Sequence, residues 1–175
     1  MRVLVAYASR HGATQGIAER IAETLRQAGL EAEALPAASV KKVTEYDALV
    51  IGGAAYMFHW LKDATKFVRR NRAFLATRPV WLFSSGPIGT EPTDAEGRDQ
   101  KVVAIPREFA ELVPAVKARD QQIFFGAVEP GRKPIGWTER MMLVIPAAKG
   151  ALPVGDFRDW AAIEAWAATI ARDLA

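Results

Sequence analysis

The sequence contains no cysteine. This absence excludes disulfide bonds, thiol catalysis and iron–sulfur ligation by cysteine. Histidine is scarce: His11 and His59 do not have metal-site spacing, so we expect no metal site. No apolar run approaches the ~18 residues that cross a membrane, and no signal peptide precedes the first predicted strand. We therefore expect a cytoplasmic protein.

What the chain does contain is typical of one globular domain. Its 175 residues suffice for a full core, and 50% of them are hydrophobic while 25% are charged. The net charge is +3 at pH 7 and the isoelectric point is about 9.3. Such a mild excess of basic residues is common on solvated surfaces, and we expect no nucleic-acid partner from it.

The most informative stretch is residues 9–14, here called loop one. An apolar run at residues 3–7 precedes it and an amphipathic run follows, which predicts a buried strand, a polar loop and a helix. The first turn of a helix offers unpaired N–H groups and a positive dipole end. Hydroxyls at Ser9 and Thr14 add hydrogen-bonding groups, and Gly12 lets the backbone approach a ligand closely. Loop one therefore predicts a phosphate cradle.

Other phosphate-binding motifs do not match loop one. The dinucleotide fingerprint requires G-x-G-x-x-G, whereas only Gly12 and Gly16 are present, and the Gly-Lys-Ser/Thr of triphosphate loops does not follow. A cysteine-based phosphatase loop is impossible here, and a receiver domain would carry acids where Ala8 and Ser9 stand. The alternative that remains open is an ordinary strand–helix turn with Thr14 near the N-cap.

Hydrophobic periodicity predicts five strands that alternate with helices. The predicted strands are residues 3–7, 31–35, 46–52, 79–84 and 122–128, and the predicted helices are residues 13–28, 61–72, 106–117 and 158–174. We also predict a short helical turn at 39–43, irregular structure at 91–103, and Asp156 or Asp159 as the cap of the last helix. This alternation predicts a doubly wound parallel α/β sheet of order 2-1-3-4-5 between two helix layers. The loops after strands one, three and four then meet at one end of the sheet.

The S/T-x-x-G-x-T pattern of Ser9, Gly12 and Thr14 resembles the phosphate loop of flavodoxins. That resemblance implies a flavodoxin-like fold over a single domain, residues 1–175, with FMN as cofactor. Three features occur in this order along the chain: loop one, residues 50–52, and His59 with an aromatic neighbour. Together they resemble a narrower group, the menaquinone-dependent protoporphyrinogen oxidase branch. This narrower resemblance implies an oxidoreductase that passes electrons from a reduced tetrapyrrole to a quinone. A flavodoxin-like electron shuttle and a protein for another flavin, such as a deazaflavin, remain alternatives.

The resemblance places the flavin ring between loop two (residues 52–60) and loop three (residues 85–90). A ring with apolar faces and one polar edge favours aromatic or apolar walls and backbone amides. The predicted cofactor-binding residues are Ser9, Arg10, His11, Gly12, Ala13, Thr14, Gly53, Ala54, Ala55, Tyr56, His59, Trp60, Ser84, Ser85, Gly86, Pro87 and Gly89. Core packing is an equal alternative for Phe58 and Trp60, and a role at the helix start or toward a partner is an alternative for His59. No catalytic acid or base is assigned.

Several features depart from the resembled families. Tyr56 stands where the oxidase branch would have a basic residue, residues 84–89 differ from its third loop, and the chain is basic whereas electron-carrier flavodoxins are acidic. No acid occurs at 52–62 or 84–90. Because a nearby carboxylate would disfavour an electron-rich ring, its absence predicts two-electron exchange with an organic substrate rather than shuttling.

Residues 129–155 form an insertion that is too long for a simple strand–helix connection. Within it, residues 131–149 combine Arg and Lys with Trp137 and an apolar run at 141–145. Three interpretations stand: a lid on the domain's own surface, a contact with anionic lipid or on the quinone side, and a homodimer contact. The second would place the protein at the inner face of the membrane.

Overall fold

The computed structural model describes residues 1–128 and 153–175. Its strands are β1 (Arg2–Ala8), β2 (Glu31–Pro36), β3 (Ala48–Tyr56), β4 (His59–Trp60), β5 (Val80–Ser85), β6 (Asp120–Phe124), β7 (Ala127–Val128) and β8 (Gly155–Asp156). Its helices are α1 (Ala13–Gln27), α2 (Lys62–Leu75), α3 (Gln100–Val103), α4 (Phe109–Val116) and α5 (Trp160–Leu174). Among these described helices, none has the length and apolar character needed to cross a membrane.

Five parallel strands form the central sheet in the order β2-β1-β3-β5-β6. In β1, Val3 lies opposite Ala32 of β2 on one side and Ala48 of β3 on the other. Counted along the chain, the five parallel strands have the order 2-1-3-4-5, so the predicted doubly wound flavodoxin-like fold is confirmed. This order places the ends of β1, β3 and β5 side by side, where the cleft described below opens.

Helices cover both faces of the sheet, so alternate residues of β1 enter two separate cores. One core lies beneath α1 and α5 and includes Val3, Val5, Ile17, Ile21, Ile163 and Trp166. The other lies beneath α2 and α4 and includes Leu4, Ala6, Leu49, Phe67 and Leu112. The apolar faces of α1 and α5 are therefore buried, as the 3.6-residue period of a helix requires.

Two of the predicted strand boundaries are wrong. The strand predicted at 46–52 continues to Tyr56, because β4 folds back against β3 with Ala55 opposite Trp60. Loop two is thus a β-hairpin. The strand predicted at 122–128 divides into β6, which joins the main sheet, and β7, which pairs with β8 in a separate two-stranded sheet.

Differences also occur in the helical and irregular segments. The turn predicted at 39–43 is replaced by two 3₁₀ turns, Ala37–Ser39 and Val43–Glu45, and the irregular stretch at 91–103 contains α3. The helix predicted at 106–117 is shorter, because α4 spans only Phe109–Val116. Asp159 is the N-cap of α5, where its carboxylate accepts from the N–H of Ala162. Residues 129–152 of the predicted insertion lie outside the described residues.

Candidate cofactor cleft

A cleft of about 190 Å³ opens where β1, β3 and β5 end. Its described wall consists of Ser9, Arg10, His11, Ala13, Thr14, Ala54, Ala55, Tyr56, Met57, Ser85, Gly86, Ile88, Gly126 and Ala127. We call residues 9–14 with Ser85 the loop-one side and residues 54–58 the hairpin side. The two sides differ in chemistry, because the first is polar and the second is mainly apolar.

The loop-one side begins with a tight turn into α1. Gly12 is the N-cap and has φ 84°, a left-handed conformation that glycine adopts without steric cost. Its N–H donates to Ser9 Oγ at 3.0 Å. No acidic residue occupies the first turn of α1, so nothing there offsets the positive dipole end. This geometry favours an anionic ligand.

Two buried hydroxyls meet between loop one and β5. Thr14 Oγ1 lies 2.7 Å from Ser85 Oγ, and the two residues are 1% and 4% exposed. Each hydroxyl has one proton, so whichever group accepts within the pair keeps its own proton for another acceptor. Because Thr14 bonds across to β5, its side chain does not act as a helix cap. The pair therefore supplies a donor at the cleft.

The hairpin side is turned by two residues with unusual backbone angles. Met57 and Phe58 have φ 51° and 64°, a left-handed conformation that is uncommon for residues other than glycine. The turn is fixed from outside, because the N–H of Arg107 donates to the carbonyl of Phe58 at 3.0 Å. Both side chains are exposed, and Met57 lines the cleft.

The base of the hairpin is attached to the start of α4. The Glu108 carboxylate accepts from the N–H of Trp60 at 3.0 Å and lies 2.9 Å from His59 Nδ1. Burial alone would raise the pKa of Glu108, but the bonds from Trp60 and His59 outweigh it and lower that pKa. The ionised carboxylate of Glu108, the residue before α4, therefore holds the hairpin in place.

Seven of the predicted cofactor-binding residues do not line this cleft. They are Gly12, Gly53, His59, Trp60, Ser84, Pro87 and Gly89. Trp60 is 2% exposed: its Nε1 donates to the carbonyl of Gly53 at 3.0 Å and its ring packs edge-on against Phe109. The hydroxyl of Ser84 donates to the same carbonyl at 3.2 Å.

The other ten predicted residues are brought together at the cleft, with four that the sequence did not indicate. Met57 and Ile88 lie inside loops two and three, so their position along the chain was a usable signal. Gly126 and Ala127 follow β6 and had no signal, because the sequence assigned them to a strand interior.

Charge around the cleft is positive or neutral. Among the wall residues that the structure describes, none is Asp or Glu, and the guanidinium of Arg10 lies 4.8 Å from the centroid of the Tyr56 ring. Asp94 faces a neighbouring cleft of about 490 Å³, and Arg98 Nε donates to its carboxylate at 2.7 Å. That hydrogen bond lowers the pKa of Asp94, so this carboxylate is ionised and paired.

The profile of the flavodoxin domain family matches residues 4–148. The chain belongs to the flavodoxin domain family. Membership implies a flavin as cofactor. Protoporphyrinogen IX dehydrogenase [quinone] of Escherichia coli strain K12 is 26% identical over 114 residues, which are 62% of this chain and 60% of that relative. The chain thus matches about three fifths of the length of the curated relatives it resembles.

Solved flavodoxins share the fold. A cysteine-to-serine mutant of a Pseudomonas aeruginosa flavodoxin superposes with a TM-score of 0.61 at 18% identity, with 99% of both chains covered. A flavodoxin from the domain Archaea gives a TM-score of 0.60 at 14% identity, again with 99% of both chains covered. These similarities confirm the flavodoxin-like architecture.

The chemistry of the cleft fits a flavin phosphate. The loop-one side presents a helix N-terminus and buried hydroxyls, which suit a phosphate, and the hairpin side presents Ala54, Ala55 and Met57, which suit the faces of a ring. At Gly86 a Cβ would lie 3.4 Å from the Ala55 side chain, so glycine keeps this part of the wall open.

Proposed function

We propose that this flavodoxin-domain protein binds FMN in the cleft and acts as an oxidoreductase. An organic substrate is oxidised by loss of two hydrogens, and a quinone accepts them to become a quinol. The observation that carries this proposal is the pairing, within one cleft, of an anion-favouring loop-one side with an apolar hairpin side. Bound FMN would supply the electron exchange, and the chain would supply binding, orientation and electrostatics.

The phosphate would be held on the loop-one side. The first-turn N–H groups of α1 and the Thr14–Ser85 hydroxyl pair would donate to its oxygens, and Arg10 and His11 would add positive potential. On the hairpin side, Ala55, Tyr56 and Met57 would cover the ring with apolar surface and exclude water from one face.

Two observations favour an organic substrate over a protein partner. Among the described residues the wall contains no carboxylate, so this part of the wall does not disfavour the electron-rich form of the cofactor. The relative of E. coli K12 carries protoporphyrinogen IX and quinone in its name, and it aligns with 62% of this chain. We therefore propose a reduced tetrapyrrole as the electron donor.

The test begins with the cofactor. Ligand released from the purified protein is identified by mass spectrometry, and apoprotein is titrated with FMN and with riboflavin. We expect FMN to be recovered and to bind more tightly than riboflavin. Recovery of a deazaflavin, or no preference for the phosphate, would overturn the FMN assignment.

The second stage is an anaerobic turnover assay with protoporphyrinogen IX as donor and menadione as acceptor. We expect porphyrin fluorescence to appear only when the FMN-loaded protein and the quinone are both present. If the loaded protein leaves the donor unoxidised but, once its FMN has been reduced by stoichiometric dithionite, passes those electrons rapidly to cytochrome c, the shuttle alternative is correct. The similarity of this chain to a solved flavodoxin, which covers 99% of both chains, supports the shuttle alternative at the level of fold.

Membrane and homodimer contacts remain predictions, because residues 131–149 lie outside the described residues. Replacing residues 132–149 by a short glycine linker should leave FMN binding intact and weaken binding to anionic liposomes. If the unmodified protein ignores such liposomes at low salt, the membrane interpretation is wrong. Sedimentation of the two forms then distinguishes a dimer contact from a lid.

A further inference from the structure

Arg158 links the segment before α5 to the loop-one side of the cleft. Its Nε and Nη2 each donate to a carboxylate oxygen of Asp156 at 2.7 Å, and its Nη1 donates to the carbonyl of Ala13 at 3.3 Å. The guanidinium lies 4.4 Å from the centroid of the Trp160 ring. Its side chain is 18% exposed, so the group is held on several sides.

Space for this guanidinium comes from Gly16. A Cβ at Gly16 would lie 2.6 Å from Arg158 Nη1, which no real contact permits. Glycine inside a helix is roughly 0.5–1 kcal/mol less favourable than alanine. The sequence therefore has a residue of low helix propensity near the start of α1, at the position where Arg158 packs.

The segment that carries Arg158 also fixes the wall of the cleft that Gly126 and Ala127 form. Asp156 pairs with Ala127 in the β7–β8 sheet, and the N–H of Phe157 donates to the carbonyl of Gly126 at 3.1 Å. Both Gly126 and Ala127 line the cleft. Residues 155–158 therefore contact both the loop-one side of the cleft and the wall formed by Gly126 and Ala127, although none of these four residues lines the cleft.

Arg20 provides an internal comparison. Its guanidinium lies 4.9 Å from the centroid of the same Trp160 ring, and its ion pair is with Glu164 of α5. The described hydrogen bonds of its side chain do not extend to loop one, in contrast to the bond from Arg158 to Ala13. The two arginines thus share the aromatic contact and differ in the contact with the start of α1.

We propose that Arg158 is a positioning residue for phosphate recognition. By holding the carbonyl of Ala13, it fixes the first turn of α1 and with it the neighbouring Thr14 hydroxyl and the first N–H groups. Its role is to make the site select a phosphomonoester over an uncharged alcohol. This inference rests on the proposed binding of FMN.

The experiment compares Arg158→Gln, Arg158→Lys and Gly16→Ala with the control Arg20→Gln. Apoproteins are titrated with FMN and with riboflavin, and the ³¹P chemical shift of bound FMN is measured. Arg158→Gln should weaken FMN binding about tenfold, the factor for one hydrogen bond to a charged group, and change riboflavin binding less than about twofold. Arg158→Lys should retain only part of the FMN affinity that Arg158→Gln loses, because a single ammonium group cannot reproduce the several hydrogen bonds of the guanidinium.

Gly16→Ala keeps the test valid if Arg158→Gln folds poorly. It should displace the guanidinium and weaken FMN binding in the same direction, while the gain in helix propensity offsets part of the stability lost with the Arg158 contacts. Arg20→Gln should leave both affinities and the ³¹P shift unchanged.

Three outcomes would overturn the positioning role. The first is an unchanged FMN-to-riboflavin preference in Arg158→Gln and Gly16→Ala. The second is an equal loss of both ligands in these variants, and the third is an equal effect of Arg20→Gln. In each case an unmodified protein that prefers FMN leaves the proposed function intact. An unmodified protein without that preference overturns the proposed function and this inference together.

Discussion

The turn on the loop-one side of the cleft is closed by a bond between near neighbours, whereas the base of the hairpin is held by a residue almost fifty positions away. Gly12 N–H bonds to Ser9, three residues earlier, but Trp60 and His59 bond to Glu108 across 48 and 49 residues. The first kind of contact forms with the local chain conformation. The second requires the sheet, α2 and α4 to be assembled already.

This difference separates binding from stability. Variants of Trp60 and Glu108, which hold the base of the hairpin, should mainly change the free energy of unfolding, because their contacts are buried or half-buried and non-local. Variants on the loop-one side should mainly change ligand affinity, because its polar groups face the cleft. Four substitutions, one of them also followed as a function of pH, test the separation, beginning with the largest expected effect.

Trp60→Ala should lower the free energy of unfolding by about 3–5 kcal/mol. The side chain is 2% exposed, packs edge-on against Phe109 and donates to the carbonyl of Gly53. Urea denaturation followed by circular dichroism measures the change. Phe58→Ala is the control and should stay within about 0.5 kcal/mol, because Phe58 is an exposed turn residue. A small effect of Trp60→Ala together with lost FMN binding would instead make Trp60 a cofactor contact.

Glu108→Gln should lower the free energy of unfolding by about 1.5–3 kcal/mol, since it weakens a charge-assisted bond to a half-buried N–H. Glu111→Gln is the matched control, because Glu111 forms a solvent-exposed ion pair with Arg69 at 2.6 Å. We expect no measurable change in the free energy of unfolding for this variant. Equal effects of the two substitutions would show that Glu108 does not hold the hairpin.

The effect of Glu108 should depend on pH. Its pKa is lower in the folded protein than in the unfolded chain, so its ionised form adds stability above the unfolded pKa of about 4.3. That contribution is lost as the pH falls through the lowered folded pKa. The difference in unfolding free energy between the protein and Glu108→Gln should thus be constant near neutrality and shrink in acid. A difference that grows in acid contradicts the assigned direction.

Thr14→Val should raise the Kd for FMN about tenfold, roughly 1.4 kcal/mol, and leave riboflavin binding nearly unchanged. The substitution keeps the shape of a buried side chain and removes its half of the hydroxyl pair. Thr24→Val, further along α1, is the control because its hydroxyl donates only to the Arg20 carbonyl. If Thr14→Val weakens both ligands equally, the loop-one side does not recognise the phosphate.

Met57→Glu should have the smallest effect, a fall of the FMN midpoint potential on the order of 10–20 mV. Met57 is 73% exposed on the hairpin side, and a charge ~8 Å away in water-like surroundings is worth about 0.5 kcal/mol. Met57→Gln is the neutral control and should leave the potential where it was. Equal potentials for Glu and Gln variants would place the ring away from the hairpin.

The sequence by itself determined the elements that local patterns encode. The apolar period of residues 3–7, the polar residues of loop one and the amphipathic period after it correctly predicted β1, the turn and α1. Alternation of strands and helices then determined the sheet order, because right-handed crossovers leave few other arrangements. Each of these depends on neighbours within a few residues, and a sequence displays such neighbours directly.

Only the tertiary structure decided what closes the cleft. The extension of β3 into a hairpin depends on Glu108 and Arg107, and the separation of β7 from β6 depends on pairing with β8. The contact of Arg158 with Ala13 joins residues 145 positions apart. Such contacts follow from strand register and helix docking, so no local period or motif encodes them, and the assembled fold alone brings these groups within bonding distance.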